Sequence, residues 1–140
     1  MGYCTRFFGE IRIDPPIPWS AIKDSPFARK GSNGWWERDL KFRIVEEATD
    51  VSDERGEGTL IRREAVAIVS SEEDESRGRH IVEHLQQIVT AYGKGRTFTG
   101  RLDAEGEEAG DVWRLEVHGG QAVKVEPRIV WPDGSEGLDR

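Results

Sequence analysis

The stretch TFTGRLDAEGEEAGDVWRLEVHGGQAVKVEPRIVW, residues 97–131, decides the fold. It reads as three strands, Thr97–Ala104, Asp111–His118 and Ala122–Trp131, because β-forming residues recur between two glycine-bearing connections. His118-Gly119-Gly120-Gln121 predicts a tight hairpin turn, since paired glycines supply positive φ values. Trp113, Leu115 and Val117 share one face, which assigns the tryptophan to the core. Glu105, Glu107, Glu108 and Asp111 then crowd a solvated hairpin tip, whose bend Gly106 and Gly110 permit.

Working back from this block, His80–Tyr92 is a helix with Ile81, Leu85, Ile88 and Tyr92 on one stripe and Val82 and Val89 beside it. Gly93 and Gly95 stop it, and Ser71–Ser76 forms an acidic approach with Ser76 as its cap. Thr59–Ser70 is a long strand, apolar over Ala65–Val69 and therefore central there. Val51–Gly58 is a polar turn, and Leu40, Phe42 and Ile44 alternate with Lys41 and Arg43 as in a half-buried strand. Tyr3–Ile13 is the first strand, expected to break at Asp14-Pro15-Pro16 because proline donates nothing to a ladder. A short helix, Pro18–Asp24, places Trp19 and Ile22 on one face, and a basic loop, Ala28–Gly34, follows Pro26. The expected fold is α+β: a single domain with an antiparallel sheet and two helices. Its order is β-α-β-β-α-β plus a C-terminal β-hairpin, a ferredoxin-like plan. The domain is expected over residues 1–132, with 133–140 a polar tail.

Composition limits function before any motif does. At 140 residues, 36% hydrophobic and 34% charged, the chain can bury one real core beneath a heavily solvated surface. Apolar runs of a few residues fall far short of the roughly 20 that cross a bilayer, so no membrane association is expected. The polar N-terminus carries no secretory pattern, and the expected location is the cytoplasm. Cys4, the sole cysteine, excludes an intrachain disulfide and a cysteine-based zinc cluster. A net charge of −7 argues against direct nucleic-acid binding, which needs a basic face to displace counterions.

His80-Ile81-Val82-Glu83-His84 has the H-x-x-E-H spacing of inverted zincins, in which two helical histidines chelate Zn²⁺ and a glutamate activates water. At about 100° per residue, His84 lies about 40° from His80 and Glu83 about 60° to its other side. The apolar stripe centres about 110° away, so both histidines are expected to face water or a partner and the spacing is read as surface. Asp103, Glu105 and Glu107 start an EF-hand count that fails at Glu108 and Arg114. Gly93-Lys94-Gly95-Arg96-Thr97-Phe98 lacks the third glycine of a phosphate loop, and there is no Gly-x-Ser-x-Gly elbow. No catalytic residue and no cofactor is therefore assigned.

What remains is a surplus of tryptophan and arginine. Five tryptophans include the adjacent Trp35 and Trp36, which lie close to Arg29, Lys30 and Arg38 in sequence. If that stretch is extended, the two rings point to opposite sides, and one of them covers a loop or lines a groove. Such residues anchor protein interfaces and stack on bases.

GYCTRFFGEIRIDPPIPWSAIKDSPF and FTGRLDAEGEEAGDVWRLEVHGGQAVKVEPRIVWPDGSE resemble an uncharacterised family of small proteins from actinobacteria and their phages. The segment Ala104-Glu105-Gly106-Glu107-Glu108-Ala109-Gly110-Asp111-Val112-Trp113 is similar to the G-E-G-E-E-x-G-D-x-W ending of other short phage and bacterial proteins. The resemblance implies a phage or mobile-element setting and a single α+β domain, and it assigns no chemistry.

The expected function is thus non-enzymatic binding of a protein or a nucleotide-like small ligand. Trp35, Trp36, Arg38, Arg43, Arg62 and Arg96 would carry it with Glu105, Glu107 and Glu108, and Arg63 would join the other arginines where phosphates are bound. The alternatives are a zinc hydrolase built on His80, Glu83 and His84, and an acidic mimic of DNA.

Overall fold

A computed structural model describes residues 4–71 and 80–137. In chain order these form strand β1 (Thr5–Pro18), helix α1 (Trp19–Ile22), strands β2 (Leu40–Asp53) and β3 (Gly56–Ser70), helix α2 (Ile81–Tyr92), and strands β4 (Thr97–Gly106), β5 (Val112–His118) and β6 (Gln121–Val125). Every ladder is antiparallel, and the strands line up as one sheet in the order β2-β3-β1-β4-β5-β6. The result is a small α+β domain in which strands dominate.

Alternation sorts each strand's side chains between two faces. Phe7, Ile11, Ile13 and Ile17 of β1 meet Ile68 and Ala65 of β3, Leu40 and Phe42 of β2, Leu102 and Ala104 of β4, and Leu115 of β5 in one buried cluster. Ile81, Leu85, Ile88 and Val89 of α2, with Ile22 of α1, close that cluster from the same side. Gln86 ties the helix to the sheet: its Nε2 donates to the Gly120 carbonyl and its Oε1 accepts from the Ala122 N–H at 2.8 Å. The opposite face of the sheet carries no helix among the described residues.

The structure corrects several expected boundaries. β1 does not stop at Asp14-Pro15-Pro16; it runs on to Pro18 through a bulge, where five steps from Arg12 to Ile17 oppose the two from Ala67 to Ala65 on β3. A bulge leaves residues out of the ladder, so prolines there sacrifice no hydrogen bond. Arg96 holds the bulge, its Nε donating to the Pro15 carbonyl and its Nη1 to the Tyr92 carbonyl at the end of α2. The polar segment 51–58 is mostly strand as well. β2 and β3 stay paired out to Asp53 and Gly56, leaving only Glu54 and Arg55 to turn. There the Arg55 N–H donates to Asp53 Oδ1, and Gly56 takes a φ of 127° that favours glycine. β6 ends at Val125 rather than Trp131; Pro127 follows, which cannot donate to a ladder. Residues 128–137 instead fold back on themselves through a Val130–Glu136 bridge and a bond from Trp131 Nε1 to the Gly137 carbonyl. Beyond Ser71, the expected acidic approach with its Ser76 cap lies outside the described residues.

Candidate functional site

Adjacent apolar residues in a strand must part to opposite faces, and Phe7-Phe8 does this. Phe7 enters the core and packs edge-on against Trp113 at 5.6 Å between centroids. Phe8 is left on the uncovered face, 49% exposed. Val112 and Trp113 divide in the same way on β5, and Val125 joins the outer set because it pairs with Arg114. Phe8, Val112, Val125 and Pro127 thus line a groove of 380 Å³ on the open face.

Charge surrounds this apolar strip. Asp103 bridges two guanidinium groups, accepting from Arg114 Nε at 2.9 Å and Arg101 Nε at 3.3 Å. Glu105 and Glu126 also line the groove, Glu126 lying 3.7 Å from Lys124. Lys124 in turn sits over the Trp113 ring at 4.6 Å. The lining residues themselves comprise three carboxylates and one arginine, while Arg101, Lys124 and Arg6, which is the cross-strand neighbour of Glu105 and lies 5.9 Å from the Phe8 ring, stand beside them. The 106–111 connection borders this region: the Gly106 N–H donates to the Asp111 carbonyl, and Glu107 Oε1 accepts from the Cys4 N–H at 3.2 Å. Glu108 holds the turn through its own carbonyl, which accepts from the Asp111 N–H.

The tryptophan–arginine residues do not converge on one place. Trp35 stands out from the loop before β2, 73% exposed, with its N–H on Asn33 Oδ1. Trp36 is half-buried beneath Lys41, whose Nζ is 5.4 Å from the ring. Arg38 offers its carbonyl to the Ser71 hydroxyl at 2.6 Å. Arg43 is bound to Glu10 at 2.8 Å, Arg62 lies out on the β2–β3 ribbon, and Arg96 grips the β1 bulge. Arg63 pairs with Glu46 at 3.2 Å and lies 6.0 Å from the Trp19 ring. β2 and β4 are three strand spacings apart, about 14 Å, so Trp35 and Trp36 are well removed from Glu105, Glu107 and Glu108.

The H-x-x-E-H helix also departs from expectation, because only one histidine faces out. His80 and Glu83 are exposed, 3.5 Å apart. His84, whose side chain is 12% exposed, packs edge-on against Phe27, and its Nδ1 accepts from the Asp39 N–H at 3.1 Å. The wheel measures angles from the helix's own stripe and could not show that the 23–39 loop covers the flank where His84 lies. Asp39 Oδ2 accepts from the His80 N–H at 3.1 Å and so caps the helix from outside it. Burial lowers the His84 pKa, and the Asp39 carboxylate 3.7 Å away opposes this without reversing it. Its Nδ1 is therefore occupied as an acceptor, with the proton on Nε2. Among the described residues, no group of three or more histidine, cysteine, aspartate or glutamate side chains is placed to hold a metal ion. None of the described helices is long and apolar enough to cross a membrane.

Fold and groove together define a small α+β domain whose distinctive surface is an open sheet face. The whole chain, residues 1–140, matches the family of unknown function DUF6205, and the protein belongs to that family. No curated protein and no solved structure matches it.

Proposed function

We propose that this protein is a non-enzymatic binding module, and that its open-face groove receives a cationic, apolar segment of a partner protein. One observation carries this reading: Phe8, Val112, Val125 and Pro127 form an apolar strip, lined also by three carboxylates and one arginine, on a sheet face that no helix covers among the described residues. Apolar side chains left in water gain from being covered, and a lining in which carboxylates outnumber arginines favours a partner segment that brings positive charge. A nucleotide-like ligand fits less well, because Arg43, Arg96 and Arg114 are each engaged with a carboxylate or a carbonyl. In the acidic-mimic alternative, Glu105, Glu107 and Glu108 alone would carry binding. The resemblance to actinobacterial and phage proteins supports an accessory or host-conflict role in a phage or mobile element. For the fold, we read β1–α1–β2–β3–α2–β4 as a ferredoxin-like unit widened by β5 and β6. The neighbour order β2-β3-β1-β4 supports this, with α1 reduced to one turn.

The test is an NMR titration with three probes: a peptide alternating lysine and leucine, its glutamate–leucine counterpart, and ATP. The lysine peptide is expected to shift the resonances of Phe8, Val112 and Val125, and charge reversal at Glu105 to weaken it only in part. Equal response to the acidic peptide, or shifts confined to residues 29–43 with ATP, would overturn the reading.

A further inference from the structure

β2 and β3 leave the body of the sheet together. β1 accompanies β3 only as far as Glu64, which pairs with Pro18. From residue 63 back to the turn, β3 has β2 on one side and no strand on the other among the described residues. The side chains of residues 51–63 are exposed throughout, including Leu60 at 50% and Ile61 at 55%. A free strand edge with apolar side chains is a template for another strand.

We propose that this edge pairs with the same edge of a second copy, forming a two-fold dimer through residues 57–63 of β3. Alternate residues of a strand point their N–H and C=O outward, so in a two-fold antiparallel pair an outward residue must face an outward residue. The numbers of facing residues must therefore sum to an even value. With a sum of 120, Leu60 faces Leu60 of the second copy, Thr59 faces Ile61, and Glu57 faces Arg63 at both ends. A sum of 118 sets Glu57 against Ile61 and runs Arg63 past the end of the facing strand at the turn residue Arg55, losing both opposite-charge pairs, and a sum of 122 drives Glu57 against Ala65, where Ile17 of β1 already lies. One register thus combines apolar contact, two opposite-charge pairs in which the half-exposed Arg63, paired with Glu46 at 3.2 Å in its own chain, takes Glu57 of the second copy as a further partner, and a length that ends where β1 begins. The other edge of the ribbon disfavours self-pairing: β2 carries Glu46, Glu47, Asp50 and Asp53 there, and two such strands would repel.

The experiment is sedimentation of the whole chain over a concentration series, combined with charge exchange. The wild type is expected to pass from the 15.8 kDa monomer toward twice that mass. Glu57→Arg alone and Arg63→Glu alone should each lower dimer affinity at least tenfold. Mixing the two variants restores opposite charges at both ends, so a heterodimer should form where neither variant self-associates. Circular dichroism confirms folding of each variant. Independently of charge, Leu60→Cys in a Cys4→Ser background should crosslink on oxidation, whereas Asp50→Cys on β2 should not. A monomer at millimolar concentration, a dimer indifferent to both charge variants, or crosslinking at residue 50 but not at residue 60 would overturn the proposal. Val112→Asp, which spoils the groove, should leave the dimer intact.

Discussion

His84 illustrates how one side chain's surroundings set a property that its sequence position conceals. The imidazole is buried with Nδ1 accepting from the Asp39 N–H, so the folded state prefers it neutral and its pKa falls below the ordinary value. The unfolded chain then takes up the proton first as pH drops. Stability from this group is complete above about 6.5 and is lost as pH falls from there through the lowered folded value. The thermal midpoint should decline between pH 7.5 and pH 5, and His84→Asn, which keeps an acceptor near Nδ1 but does not titrate, should flatten that part of the profile. Gly100 is a second position where one residue type is required. Its φ is 90°, and an added Cβ would stand 2.7 Å from the Glu10 carbonyl oxygen. Gly100→Ala should cost about 1–3 kcal/mol, read by urea denaturation.

At the scale of elements, period and punctuation carried most of the information. The α2 stripe and the Gly119-Gly120 turn were legible because burial on one side imposes a period of 3.6 or 2 on composition. The β2–β3 ribbon was hidden for the same reason in reverse. It is solvated on both faces, so no alternation survives in residues 51–58 and the segment reads as a turn. The continuation of β1 was hidden because proline normally ends a ladder, and only the register shift with the grip of Arg96 shows how it is accommodated. Arg96→Ala should therefore destabilise the fold by about 1.5–3 kcal/mol, with hydrogen exchange rising first around residues 12–17. Leu85→Ala, in the fully buried centre of α2, should cost more, about 2–5 kcal/mol.

For the whole molecule, the sequence marked residue types and left open where the fold would place them. Trp35, Trp36 and the arginines stand out by type, yet the strand order scatters them and most of the arginines are engaged in ion pairs or carbonyl contacts. Phe8, Val112 and Val125 do not stand out, since each reads as another strand residue; they become a surface only because α1 and α2 both pack on the other face. The Phe7-Phe8 pair was the available signal, as two adjacent aromatics in a strand cannot share one core. The central claim is that this uncovered face is where the protein binds. Its most direct measurement is calorimetric titration of the lysine–leucine peptide into the wild type, Val112→Asp and Leu60→Asp. The groove account predicts a loss of at least tenfold for Val112→Asp and wild-type affinity for Leu60→Asp; unchanged binding by a folded Val112→Asp protein would contradict it.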